Sequence, residues 1–151
     1  MFYELGEVPT VGIVELLNER HGYKLPPGQT ARKKERLYLE MVSEIAPIEP
    51  VVAIVNEVYG RLPLAVASGG RRSIVISTLD ALGITDKFAA IVGADDYVLG
   101  KPAPDPFLTA AQKLGVDPAR CLVFEDTQIG IQAAEAAGMK SVLVPPPTRV
   151  G

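Results

Sequence analysis

The chain has one cysteine, one histidine, no long apolar run and no excess of basic residues. Cys121 is the single thiol in 151 residues, so no internal disulfide framework exists. It precedes an apolar run and is expected to be a buried, inert thiol. No stretch approaches the roughly 20 apolar residues that a bilayer span requires. The first residues, Met1-Phe2-Tyr3-Glu4, lack the charged and apolar regions of a secretion signal. A cytoplasmic protein without a membrane partner is the expectation. Lysine and arginine total 15 against 18 aspartate and glutamate residues, a net charge of −3. With no basic tail, non-specific nucleic-acid binding is excluded as the main role. The lone His21 has no serine or cysteine arrangement around it and reads as a helix end, favourable to the dipole there.

What is present is an ordinary globular composition, 48% apolar and 22% charged, enough for one domain with a core. The organising stretch is LVFEDTQIGIQAAEAAGM, residues 122–139. It reads as a short strand covered on both faces, an acidic turn and an alanine-rich helix closed by a glycine. Glu125 and Asp126 fall at the strand's carboxyl end, where open α/β sheets bind ligands. Two adjacent carboxylates repel unless a cation joins them, and hard oxygen donors suit Mg²⁺. The plainer alternative is that Asp126 or Thr127 caps the following helix.

Periodicity places helices from 8–10 to near 21–22, over 30–45, 51–59 and about 72–82, over 106–114, and over about 129–137. In the second, Leu37, Met41, Val42 and Ile45 form the expected apolar face. Arg32, Lys33, Lys34 and Arg36 are mostly a solvated face. Asp105 is expected to cap the fifth helix, with Pro106 at its first position. Strands are expected over 64–67, 90–92, 122–124 and 141–144. From Leu64 onward strands and helices alternate, which reads as a parallel sheet flanked by helices.

Two further stretches carry chemistry. LAVASGG, residues 64–70, ends a strand in the Ser68 hydroxyl and two glycines. GKPAPDPF, residues 100–107, sets Lys101 in a proline-stiffened loop. Ser68 can donate to a phosphate oxygen, and the Gly69 N–H can approach one closely. Lys101 supplies a point charge. The plain alternatives are a helix-capping serine and a surface lysine.

A strand-tip hydroxyl, a lysine and an acidic strand tip, in that order, resemble motifs II, III and IV of the haloacid dehalogenase-like superfamily. GKPAPDPF and FEDTQIGIQAAEAAGM look like its sugar-phosphate phosphatase and beta-phosphoglucomutase-like branch. The resemblance implies an α/β fold of Rossmann-like type, with residues 1–47 as a partial helical cap and 48–151 as the core. It implies Mg²⁺ held by Asp126, with Glu125 coordinating directly or one shell out. Phosphate would bind at Ser68, Gly69 and Lys101, the last also serving catalysis. The cap resemblance in RKKERLYLE points to Lys34, and with it Thr10, as substrate contacts. The implied ligand is a small phosphorylated metabolite.

The family's first motif, D-x-D after the first strand, is missing. The aspartates are Asp80, Asp86, Asp95, Asp96, Asp105, Asp117 and Asp126, and no two are two residues apart. The resemblance therefore implies an N-terminally shortened chain, beginning inside the cap at the loop-like Glu4 to Thr10 stretch and lacking the nucleophile. It is expected to be inactive alone. The family's sheet order, 5-4-1-2-3, makes the lost strand the central one. Its two neighbours should pair directly, or a second copy, an exchanged strand or a rearranged N-terminal segment should fill the slot. The alternatives are a non-catalytic phosphate- or partner-binding module. Dehalogenase chemistry needs the same missing aspartate, and a receiver domain's acidic pair is not found.

Overall fold

The computed structural model describes residues 9–145. The cap-loop resemblance of Glu4 to Val8 and the end of the Pro145-Pro146-Pro147 run lie outside them.

Helix α1, Thr10–His21, stops at Gly22, whose φ of 68° is readily open only to glycine. Exposed His21 stacks on Tyr23, with ring centroids 5.5 Å apart. Asn18 then holds the connection, donating to Leu25 O at 2.9 Å and accepting from Leu25 N–H at 3.0 Å. Helix α2 is Pro27–Glu40, followed by a 3-10 turn over Val42–Glu44. Its start is three residues earlier than expected, because a proline in the first turn sets a helical φ and loses no internal hydrogen bond. Its buried residue is Ala31, whereas Leu37 and Met41 are exposed, correcting the expected apolar face. Val42 and Ile45 are half-buried.

Helix α3 is Glu49–Val58. The alternation that follows is β1 (Ala65–Ala67), α4 (Arg72–Ala81), β2 (Ala90–Val92), α5 (Asp105–Leu114), β3 (Leu122–Glu125), α6 (Gln128–Ala136) and β4 (Lys140–Leu143). The strands form two parallel ladders, β1 with β2 and β3 with β4. Among the described residues β1 and β3 share no ladder, so direct pairing of these two strands is not what the fold adopts.

Two apolar clusters hold these layers. Val75 and Leu79 of α4 pack with Ile84 and Ile91, and Val66 of β1 joins them. Phe107 and Ala111 of α5 pack with Val123 of β3 and the alanines of α6, and Ala67 joins them. Successive residues of β1 thus face different clusters, as strand alternation requires. Strand β3 alternates likewise, with Val123 and Glu125 buried and Leu122 and Phe124 exposed. The expectation that it is covered on both faces is corrected: α5 and α6 cover only the Val123 face. Cys121 is half-buried, its Sγ 3.5 Å from Asp117 O, and burial raises its pKa. Among the described residues no helix is long and apolar enough to cross a membrane.

Candidate active site

Ser68 follows β1 directly. Its N–H donates to Val92 O at 3.0 Å and its carbonyl accepts from Tyr97 Oη at 3.0 Å. Its Oγ accepts from Gly70 N–H at 3.1 Å, which leaves the hydroxyl proton to be donated outward. The backbone is therefore fixed by two elements while the side chain stays available. Ser68 is not a helix cap. The first turn of α4 is satisfied instead by Asp95 Oδ1, 2.7 Å from Arg72 N. Gly69 lies half-buried between Ser68 and Gly70.

The loop carrying Tyr97 is tied by Asp96. Its carboxylate accepts from Gly93 N–H at 2.8 Å and from Lys113 Nζ at 3.0 Å. The Gly93 bond, then Lys113, holds this carboxyl below its ordinary range. A depressed folded pKa contributes stability above the unfolded pKa and loses it as pH falls through the folded one. Asp96→Asn is therefore expected to lower the unfolding midpoint at pH 7. The gap to wild type should close below about pH 4. Equal deficits at pH 7 and pH 3 would show that Asp96 acts only by packing.

Lys101 is buried, its side chain 3% exposed. Its Nζ is bound to Glu125 Oε1 and lies 4.9 Å from the Phe107 ring centroid. Phe107 belongs to the cluster that Ala67, the residue before Ser68, packs against. That cluster links the tip of β1 to the Lys101–Glu125 pair at the tip of β3. Glu125 Oε2 also accepts from Thr127 Oγ1 at 3.2 Å. Gly130 makes room for this carboxylate, since a Cβ there would stand 2.1 Å from the Glu125 carboxyl carbon.

Of the two proposed caps for α6, Thr127 is the one: its Oγ1 accepts from Gly130 N–H at 3.0 Å. Asp126 is not used as the cap, and it is exposed. Among the described residues no three histidine, cysteine, aspartate or glutamate side chains are grouped to hold a metal. Asp126 alone offers an exposed carboxylate at this strand tip, the kind of donor that Mg²⁺ takes singly or in pairs beside substrate phosphate and waters. Asp105 is corrected from a cap to the first residue of α5, its Oδ2 accepting from Leu99 N–H at 3.2 Å.

Facing Ser68 is a cavity of about 370 Å³. Ser68, Gly70 and Arg71 line it together with Thr10, Lys34 and Glu35, whereas Gly69, Lys101, Glu125 and Asp126 are not among its lining residues. Lys34 Nζ donates to Thr10 Oγ1 at 3.1 Å, so the two residues picked from α1 and α2 meet each other and line the same cavity as Ser68. Sequence reading missed Tyr97, the Lys101–Glu125 pairing, and two links from α2 to the β1–α4 region. These are Tyr38 Oη with Thr78 Oγ1 at 2.7 Å and Arg71 Nε with Glu35 Oε1 at 3.2 Å. No local pattern announces such partners.

The family model for haloacid dehalogenase-like hydrolases matches residues 7–144. The chain is 41% identical over 134 residues to the fructose-1-phosphate phosphatase YqaB of Escherichia coli, covering 89% of this chain and 71% of that enzyme. Its fold superposes on a beta-phosphoglucomutase from Clostridium difficile with a TM-score of 0.81 and 26% identity, covering 95% of this chain and 68% of that one. It also superposes on CbbY from Rhodobacter sphaeroides, solved with phosphate, at a TM-score of 0.84 and 23% identity. That match covers 97% of this chain and 70% of the other, and at this identity it speaks for the fold.

Proposed function

The chain belongs to the haloacid dehalogenase-like hydrolases, and from that premise we propose that it binds a sugar phosphate and serves Mg²⁺-dependent phosphomonoester hydrolysis. The observation that carries this reading is the cavity joining Thr10 and Lys34 to Ser68. Ser68 donates its hydroxyl to the phosphoryl oxygens, assisted by the Gly69 N–H. Lys34 and Thr10 meet the sugar end. Asp126, exposed at the tip of β3, would hold Mg²⁺, which when bound would supply charge neutralisation at the phosphoryl group. Glu125 would support it from outside the ligand set, because its oxygens already accept from Lys101 and Thr127. Lys101, buried and paired with Glu125, orients the acidic tip.

The 151 residues hold no D-x-D pair, so this reading assigns them binding and leaves the attacking aspartate unassigned. The test is calorimetric titration with fructose-1-phosphate, with and without Mg²⁺, beside a turnover assay on p-nitrophenyl phosphate. We expect saturable binding that weakens at least about tenfold in Ser68→Ala. The Mg²⁺ enhancement should disappear in Asp126→Ala, and turnover should be absent. Binding indifferent to both substitutions would remove the reading. Turnover by the chain itself would overturn its lack of a nucleophile.

A further inference from the structure

We propose that Glu35 is a specificity-determining residue that sets this cavity against ligands with a second phosphate. The preferred occupant is then a monophosphate whose far end is uncharged and rich in hydroxyls. This rests on the reading above, with the phosphoryl group at Ser68.

Two cations line the cavity, Lys34 and Arg71, and one acid, Glu35. Lys34 donates to a neutral hydroxyl, Thr10 Oγ1. Arg71 does not stand alone: its Nε is 3.2 Å from Glu35 Oε1. Without Glu35 the wall would present two cations a short reach from Ser68, a setting for a dianionic group. With Glu35 one cation is neutralised, and a carboxylate lies where a second phosphate would have to approach Arg71.

The exposures decide which partner can give way. The Arg71 side chain is 56% exposed and can swing into solvent, but the Glu35 side chain is 24% exposed and sits in the wall. A ligand anion that displaced the pair would keep a like charge beside it. Repulsion of the wrong ligand is as much a source of specificity as attraction of the right one. The other polar groups lining it besides Ser68 are uncharged hydroxyls: Thr10, which accepts from Lys34, and Tyr38 and Thr78, which bond each other. A neutral, hydroxyl-rich ligand end meets no like charge from them.

The experiment titrates the full chain with fructose-1-phosphate and fructose 1,6-bisphosphate, ligands differing by one phosphate, and reads the ratio of their affinities. Wild type is expected to favour the monophosphate. Glu35→Gln keeps the shape of the side chain and should move the ratio at least about tenfold toward the bisphosphate, the effect of one freed charge-assisted contact. The double variant Glu35→Gln with Arg71→Gln should cancel that movement, which a merely structural role for Glu35 would not produce. Unfolding midpoints within a few degrees of wild type confirm that folded variants are compared. An unmoved ratio in Glu35→Gln, with Ser68-dependent monophosphate binding intact, overturns the role of Glu35 alone. Absence of monophosphate binding in wild type removes both this inference and the reading beneath it.

Discussion

Replacing Lys101 with methionine is expected to destabilise the chain by about 3–5 kcal/mol, the cost of stranding one partner of a buried ion pair. The pair qualifies as buried on both sides, with side chains 3% and 7% exposed. Methionine matches the length of the lysine stem and can still lie against Phe107. Packing is thus nearly conserved, and the loss isolates the charge. What remains, among the described residues, is a glutamate that accepts from Thr127. Urea unfolding supplies the measurement. Pairing Lys101→Met with Glu125→Gln should recover much of the loss, since a neutral pair carries no stranded charge. A loss under about 1 kcal/mol, or no recovery in the double variant, would show that water reaches Glu125 and screens it. Binding at Ser68 should weaken as well, because the pair and the tip of β1 share the Phe107 cluster.

That pair also marks where sequence reading stops. Strand β2 falls on Ala90–Val92 as expected, and α1 ends at Gly22, because apolar runs and glycine caps are local signals. The places of Ser68 and Asp126 just past strands and of Lys101 in the loop before α5 were legible. The bond between Lys101 and Glu125 was not, since 24 residues separate them and either could have met another partner. Asp105 shows the same limit at short range. Its position before a proline suits a cap, yet its carboxylate is claimed by Leu99 N–H from the preceding loop. Tertiary neighbours choose among acceptors that local chemistry leaves equivalent. The α2 face failed for a related reason. Periodicity selected Leu37 and Met41, but α1 meets α2 where Val14 and Ala31 are buried. A close helix contact favours a small residue over the largest apolar ones.

Gly130→Ala is expected to cost about 2 kcal/mol or more, although alanine inside a helix is ordinarily favoured over glycine by up to about 1 kcal/mol. Gly130 lies in the first turn of α6, against the Glu125 carboxylate. A Cβ would meet the carboxyl carbon and Oε2, each at 2.1 Å, and Oε1 at 2.5 Å. Those atoms are not the free end of a mobile side chain, since they are fixed by Lys101 and Thr127. Either Glu125 leaves Lys101, or α6 moves away from β3 and opens the alanine-packed seam, where Ala133 and Ala134 are fully buried. Both routes break contacts worth more than the propensity gain. The sign can be made to reverse. In a Glu125→Ala background the obstructing atoms are gone, and Gly130→Ala should become neutral or mildly stabilising in the same urea titration. Stabilisation by Gly130→Ala in the otherwise unaltered chain would mean that the carboxylate has room to retreat. The tip of β3 would then be a looser site than the one that positions Asp126 here.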